Sequence, residues 1–351
     1  MRISRARLLQ NKGDAEDAES QLRAILERLD DLPTDPSITP SIVETSGWAL
    51  LTLGLLEVEA DTRDVRVAGE NTLEEAARRL DDIVDKNPER ASARDLAAKI
   101  HRALAKSHLN RAVFPEDLEP AVPAIEKSLA LLDSILPLDP TNVAWRHGRF
   151  QSLRLLGHAL LRQGFDSQAV AAFEKARDIV EGLVGDCPNH EIWHFDRAMA
   201  WYDLAGAQFQ MGDVSPAQES AGTATEWFEA ASPGDRVSPE QWMLARVRAR
   251  ERQGDIAVSS RQTNGANVSA LEFFNDALLC LDAPDSHDHL ELKGWLLVKM
   301  GREQAAAGYN KNGRASLEQA QEIFLELRGK NRYQYGLAWV LYHLSEVPDF
   351  Q

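Results

Sequence analysis

Residues 156–176 read LGHALLRQGFDSQAVAAFEKA. Apolar and small residues recur in this stretch at intervals of three and four, which is the spacing of one face of an α-helix. Gly164 divides the stretch near its middle, and a glycine can end a helix in the left-handed conformation at little cost. The stretch therefore predicts two helices joined by a tight turn.

The same pattern returns 48 residues later. Five identical residue pairs are separated by this interval: Pro140 and Pro188, Trp145 and Trp193, Leu156 and Leu204, Gly164 and Gly212, and Ala169 and Ala217. A fixed period of about 20 to 50 residues marks a repeat protein, in which each unit covers the apolar face of its neighbour. Because such a core grows along one axis, we expect the 351 residues to form one array, 1–351.

Apolar spacing and the placement of Gly, Asn and Pro predict antiparallel helix pairs along almost the whole chain. We expect the pairs at residues 2–31, 41–87, 90–136, 141–185, 190–230, 239–282 and 288–328, with a capping helix at 332–346. Gly254 is interpreted as the turn of the sixth pair, between helices at 239–253 and 266–282. Whether 255–267 forms a loop or continues the first of these helices stays open.

The opening stretch closely resembles the tetratricopeptide repeat. The match consists of Leu156, Gly157, Leu160, Gly164, Ala169, Phe173 and Ala176. The resemblance implies an all-α fold, a right-handed superhelical solenoid of antiparallel helix pairs. It also implies that Gly157 and Ala169 let the two helices of a pair approach closely, while Phe173 fills space. Partial matches extend over nearly the whole chain, but the period is 48 residues rather than the usual ~34.

Function is implied by the same resemblance. Tetratricopeptide-like proteins bind other proteins, so we expect a non-enzymatic interaction scaffold. Long repeats of this kind resemble the regulatory regions of bacterial signalling and defence proteins. The expected partner is a protein, either a peptide, an acidic segment or an effector subunit, whose activity this chain would regulate. As an alternative, the chain is the sensor region of a larger multidomain signalling enzyme.

In the tetratricopeptide family the first helix of each pair lines a concave groove. The register projected onto this chain places nine residues there: Arg102, Lys106, Arg154, His158, Arg162, Tyr202, Phe209, Arg248 and Arg252. Because arginine pairs with carboxylates in a bidentate manner, such a groove would suit an acidic peptide or a chain's terminal carboxylate. The alternative is that these are solvated helix residues paired with nearby Asp and Glu.

The motif His190-Glu191-Ile192-Trp193-His194 matches the His-Glu-x-x-His signature of zinc proteases. On a helix, both imidazoles could bind one Zn²⁺ while Glu191 activates water. The repeat explains Trp193 without a metal, because Trp145 lies at the equivalent position, and no third ligand has the usual spacing. We expect no metal and no cofactor, and a zinc protease is the alternative.

A second cluster contains Asp282, Asp285, His287, Asp288 and His289. It could bind a metal ion, but we expect an acidic loop that leads into a helix start. Carboxylates are favourable at the positive end of the helix dipole, and Ser286 can cap the helix.

Composition narrows the class of protein further. A net charge of −16 argues against binding to nucleic acid or to anionic lipid, both of which require a basic surface. The most apolar segment, 47–56, is shorter than the ~20 residues of a membrane-spanning helix. Cys187 and Cys280 match no disulfide framework or metal-ligand spacing, and the N-terminal residues do not form a signal peptide pattern. We expect a cytoplasmic protein.

Overall fold

The computed structural model describes residues 15–32, 39–60, 62–230, 237–264, 270–281, 287–327 and 334–347. Within these residues the fold is all α, with 14 α-helices, two short 3₁₀ helices and no β-strand. The expected helix at 2–11 lies outside the described residues.

In the described part of the chain, seven helices precede residue 187 and seven follow it. They are α1 Ala15–Asp30, α2 Thr39–Val58, α3 Arg63–Lys86, α4 Ala91–Arg111, α5 Ala121–Ile135, α6 Val143–Arg162, α7 Asp166–Asp186, α8 Glu191–Met211, α9 Val214–Ala230, α10 Pro239–Asn264, α11 Ala270–Leu279, α12 His287–Ala306, α13 Asn310–Glu326 and α14 Gln334–Glu346. The 3₁₀ helices are Pro115–Leu118 and Leu136–Leu138.

The chain divides into two compact units, Met1–Ile179 and Val180–Gln351. Helices that are consecutive in sequence pack on each other within each unit. In the first unit α2 packs on α3 and α4 on α5, and in the second α8 packs on α9 and α12 on α13. Both units are therefore built from helix pairs, while the expectation of one continuous array stays a prediction.

Close approach of the two helices is visible in the pair α6–α7. Phe173, on α7, is fully buried and its ring lies directly over Gly157 on α6. A Cβ atom at Gly157 would lie 2.5 Å from Cζ of Phe173, well inside the van der Waals distance. The absence of a side chain at Gly157 thus allows the aromatic ring to fill the space between the helices.

The 48-residue period is present in the backbone. Gly164, Gly212 and Gly308 have φ values of +80°, +93° and +87°, a conformation that side chains other than glycine's rarely adopt. The first two are one period apart and the last two are two periods apart. The position between them is Ser260, where α10 continues without a turn.

The predicted turn at Gly254 is therefore wrong. Gly254 lies inside α10, which continues to Asn264, so the residues from 255 to 264 extend the helix. A Cβ atom at Gly254 would lie 2.3 Å from Cε1 of Phe274 on α11. This glycine is needed for the close approach of two helices and not for a change in chain direction.

A side-chain hydrogen bond also repeats in the second unit. Ser220 Oγ donates to Gln208 Oε1, and Ser316 Oγ donates to Gln304 Oε1, each at 2.8 Å. Both residues of one pair lie 96 positions from their counterparts in the other, which is twice the period.

One described helix, α2, is long and apolar enough to cross a membrane, with a mean hydropathy of 1.2 over 18 residues. The apolar segment is thus longer than the ten residues expected from the sequence. Half of this window is buried inside the protein, and Gly47 and Gly54 lie against Leu80 and Leu73 of α3. The helix therefore packs as a core helix of the first unit.

We expect Gly157→Ala to lower the free energy of unfolding by about 1–3 kcal/mol, because the new methyl group forces the Phe173 ring to move. Urea unfolding measures the change. Gly185→Ala on α7 is the control, since nothing lies within 4 Å of its added Cβ. It should stabilise the helix by about 0.5–1 kcal/mol. Equal effects of the two substitutions would contradict the close contact.

Candidate binding site

Several of the nine predicted groove residues make contacts inside the protein. Arg102 on α4 donates from Nη1 to the carbonyl of Gly148 on α6, at 3.4 Å. Burial lowers the pKa of Arg102 to about 10, and only Asp95 opposes the shift. This guanidinium therefore connects α4 and α6, which are the first helices of two successive pairs.

Residues of α6 make similar internal contacts. Arg162 donates to the carbonyls of Leu109 and Ala112, which lie where α4 ends. A cation at this end of a helix satisfies free carbonyls and the negative end of the dipole. Arg154 lies over the Phe150 ring at 5.6 Å, and the His158 ring meets the edge of Phe173.

In the second unit Tyr202 and Arg252 form a pair. Nη2 of Arg252 donates to the Tyr202 hydroxyl at 2.9 Å, and the guanidinium lies 4.7 Å from the ring centroid. Burial lowers the pKa of Arg252, but Tyr202, Asp255 and Asp203 outweigh it, so the pKa is raised overall. Phe209 packs among small apolar residues of α8 and α9 and against Ile256.

An ionic cluster beside this pair was missed by the sequence analysis. Lys299 on α12 donates to Glu251 Oε1 and Asp255 Oδ2 on α10, each at 2.7 Å. Burial raises the pKa of Asp255, while Lys299 counteracts the shift. Glu251 and Lys299 are 48 positions apart, so opposite charges at equivalent repeat positions were the signal that could have revealed the pair.

Two of the nine residues differ from the rest. Lys106 on α4 and Arg248 on α10 are both exposed. No ion pair joins either of them to another residue in the described part of the chain. These two cations are thus accessible to a partner.

The His-Glu-x-x-His motif does not lie entirely on one helix. His190 has an extended backbone, with φ −89° and ψ 107°, and stands at the N-cap of α8. Asn142 and Ser238, one period before and after it, each accept a backbone N–H at the start of their helices. Because His190 precedes the helix, the motif does not lie wholly on α8, whereas the zinc-protease signature lies on a helix.

His194 has both ring nitrogens engaged. Nε2 lies 2.6 Å from the carbonyl of Pro188, and Nδ1 lies 3.1 Å from Nη2 of Arg197. This pattern fits a neutral imidazole that donates from Nε2 and accepts at Nδ1. The His190 ring stacks on Trp193 at 4.2 Å. The histidines thus make structural contacts at the start of α8.

The second candidate cluster is only partly visible. Asp282, Asp285 and Ser286, and the side chains of His287 and Asp288, lie outside the described residues. His289 is buried, and its Nε2 lies 3.3 Å from a carboxylate oxygen of Glu240 on α10. Among the residues that the structure describes, no group of three His, Cys, Asp or Glu could hold a metal ion.

A cavity of about 650 Å³ opens in the first unit, where α2 ends, α3 begins and the second half of α4 passes. We call it the α2–α4 cavity. Its walls combine aliphatic and charged side chains. The lining residues are Leu55, Val58, Glu59, Ala60, Arg63, Arg66, Val67, Glu70, Ala103, Lys106, Ser107, Asn110, Arg111 and Val113.

Basic groups exceed acidic groups in this cavity, by four to two. Arg111 pairs with Glu70 at 2.8 Å, and Arg66 donates to the carbonyl of Ala60. Arg63 and Lys106 are exposed and form no ion pair with any described residue. Glu59, which also lines the cavity, is exposed and forms no ion pair with a described residue, so the lining as a whole has an excess of two positive charges.

A buried polar cluster forms the floor of the α2–α4 cavity. Glu70 accepts a hydrogen bond from Ser107 Oγ at 2.8 Å, in addition to the ion pair with Arg111. His108 is buried next to it, with Nδ1 3.9 Å from Glu70 Oε1. Burial lowers the pKa of His108, Glu70 and Glu74 oppose the shift, and Arg111 adds to it.

No protein-family model and no curated protein sequence matches the chain. Solved structures are similar in fold. BtubC (BKLC) from P. vanneervenii is 17% identical, with a TM-score of 0.54 over 77% of this chain and 94% of that chain. Aspartyl phosphate phosphatase F from Bacillus subtilis is 14% identical, with a TM-score of 0.56 over 97% of this chain and 77% of that chain.

A tetratricopeptide repeat protein from Parabacteroides merdae is 12% identical, with a TM-score of 0.41 over 97% of both chains. The similarity to the first two structures supports the fold alone at these identities, and the third, with a TM-score below 0.5, adds nothing to it. The tetratricopeptide-like, all-α fold expected from residues 156–176 is confirmed.

The lowered pKa of His108 predicts a pH dependence of stability. In the unfolded chain a histidine has a pKa of about 6.5, so it binds a proton more tightly than His108 does in the folded protein. The stability that neutral His108 gives the folded state is therefore fully present above about pH 6.5. It is lost as the pH falls from there through the folded-state pKa. We expect His108→Leu to flatten the pH dependence of the unfolding free energy, measured by urea titration between about pH 7.5 and 5. Parallel curves for both proteins would contradict this.

Proposed function

We propose that this chain is a non-enzymatic scaffold that binds an acidic segment of a protein partner. In this proposal it regulates an effector protein in a bacterial signalling or defence complex, in the cytoplasm. The single observation that carries the proposal is an accessible cation on a first helix of each unit taken by itself, Lys106 in the first unit and Arg248 in the second. Each belongs to the first helix of a pair, and neither has an ion-pair partner among the described residues.

The charge balance supports an acidic ligand. In a chain of net charge −16, in which acidic side chains outnumber basic ones by 55 to 39, Lys106 and Arg248 nevertheless form no ion pair with a described residue. Charged groups at the rim of an interface steer a partner of opposite charge and fix its orientation. Arg102, Arg162 and Arg252 have a different role in this proposal, since their donors bind groups within the protein.

Catalysis by zinc receives no support from the geometry. His190 precedes α8, and both ring nitrogens of His194 are engaged in contacts with Pro188 and Arg197. One similar structure is named an aspartyl phosphate phosphatase, but its 14% identity carries the fold only. The proposal of a scaffold therefore rests on this chain's own residues.

A partner would be identified by affinity capture with the full chain, and its dissociation constant measured by calorimetry with purified proteins. We expect Lys106→Glu and Arg248→Glu each to weaken binding about tenfold at low salt, because each places a negative charge opposite an acidic partner. The loss should shrink as the ionic strength rises.

Lys175→Glu on α7 and Lys311→Glu on α13 are matched controls. Both lysines are exposed and lie on the second helix of a pair, so they change the net charge equally without touching the first helices. If the controls weaken binding as much as Lys106→Glu does, the loss of affinity comes from the change in net charge and not from the position of Lys106. Unchanged binding in both test variants would refute the proposal.

We further expect purified protein to contain far less than one equivalent of zinc. His190→Ala should leave the zinc content unchanged, because this side chain stacks on Trp193 at a helix start. Elemental analysis by mass spectrometry checks both points. One zinc per chain, lost in His190→Ala, would instead favour the protease.

A further inference from the structure

We propose that the α2–α4 cavity binds a short peptide segment in which an acidic residue stands next to an aliphatic one. This inference rests on the proposed function and specifies one ligand site for it. The cavity is formed by the end of α2, the start of α3 and the second half of α4, so it differs from a groove lined by first helices alone.

The size of the cavity selects a short ligand. A volume of about 650 Å³ lies within the range of pockets that enclose small ligands, roughly 300–1,000 Å³. The surface of a folded partner domain could not enter such a space, whereas a few residues of an extended segment could. The ligand is therefore a peptide segment and not a domain face.

The charge of the cavity selects an acidic residue. Arg63 and Lys106 are exposed on α3 and α4 and form no ion pair with a described residue. They can approach a carboxylate without first breaking an internal contact. Arg111, in contrast, is already paired with Glu70, so the floor of the cavity needs no further negative charge.

Aliphatic walls select the neighbouring residue. Leu55, Val58 and Val67 line the cavity, and Val113 beside its opening is 75% exposed. These aliphatic side chains lie next to cations that form no ion pair with a described residue. Only a ligand with both an apolar group and an anion can contact both kinds of side chain favourably. A purely ionic ligand would leave these walls in water.

The alternative ligand with the same charge is a small inorganic anion. Phosphate could pair with Arg63 and Lys106, but it would not use the aliphatic walls. The two cases separate experimentally, because only a peptide responds to changes in the shape of the walls.

The experiment uses the full chain on an array of capped random hexapeptides. We expect the bound peptides to be enriched in Asp or Glu next to Leu, Ile or Val. The best peptide is then synthesised, and its affinity measured for wild type and variants. Val67→Trp, which fills the cavity, and Arg63→Glu, which reverses its charge, should each weaken binding at least tenfold.

Val65→Trp and Lys175→Glu are the matched controls and should bind like wild type. Val65 and Val67 lie two residues apart on α3 and are 40% and 38% exposed, but only Val67 lines the cavity. Circular dichroism confirms that each variant folds, and Arg63→Glu decides the matter if Val67→Trp does not fold.

Three results would overturn the inference. They are an array without the acidic–aliphatic enrichment, a peptide that Val67→Trp and Arg63→Glu bind as tightly as wild type, and peptide binding that Arg63→Glu weakens while Val67→Trp leaves it unchanged, as expected for a site that takes any small anion. If a protein partner binds through Lys106 or Arg248 while Val67→Trp changes neither partner binding nor peptide binding, the scaffold stands and the cavity site falls. If Lys106→Glu and Arg248→Glu both leave partner binding unchanged but peptide binding still depends on Val67, the scaffold falls and the cavity site stands.

Discussion

The contact between a glycine on one helix and a large ring on the next is the constraint on which three of the described helix pairs depend. It occurs between Gly157 and Phe173, Gly254 and Phe274, and Gly294 and Phe324. In each case a Cβ atom would lie within 3 Å of the ring, so only glycine permits this spacing. Tight packing of this kind is sensitive to a single added methyl group. The ring buries the apolar side of the pair, and this leaves the first helices free to make polar contacts with one another.

Those polar contacts account for several of the basic residues on the first helices. Arg102 binds the backbone of α6, and in the second unit Arg252 binds Tyr202 and Lys299 binds two carboxylates of α10. Buried charges of this kind are tolerated because each has a hydrogen-bonded partner. A basic residue on a first helix is thus not sufficient evidence of a ligand groove. Lys106 and Arg248 on first helices, and Arg63 at the start of α3, form no ion pair within the described chain.

The sequence predicted helices correctly where two kinds of glycine occupy separate, regular positions: one in the turn, and one that lies against a ring of the neighbouring helix. Residues 156–176 contain one of each, Gly157 and Gly164, and both have the expected roles. The turn predicted at Gly254 is wrong because glycine occurs both in turns and in close helix contacts. The residue at the turn position of that repeat is Ser260 and not glycine. The α2–α4 cavity could not be predicted, since its walls come from the ends of three helices that share no repeating pattern. The His-Glu-x-x-His motif shows a related limit of sequence spacing, because spacing alone does not reveal that His190 lies outside α8.

The hydrogen bonds Ser220–Gln208 and Ser316–Gln304 each join the two helices of a single pair, α8 to α9 and α12 to α13. Donor and acceptor both come from the pair that the bond holds together, and neither comes from a neighbouring pair. Each of these two pairs therefore carries a contact that aligns its own helices, and a substitution in another pair removes neither partner of the bond.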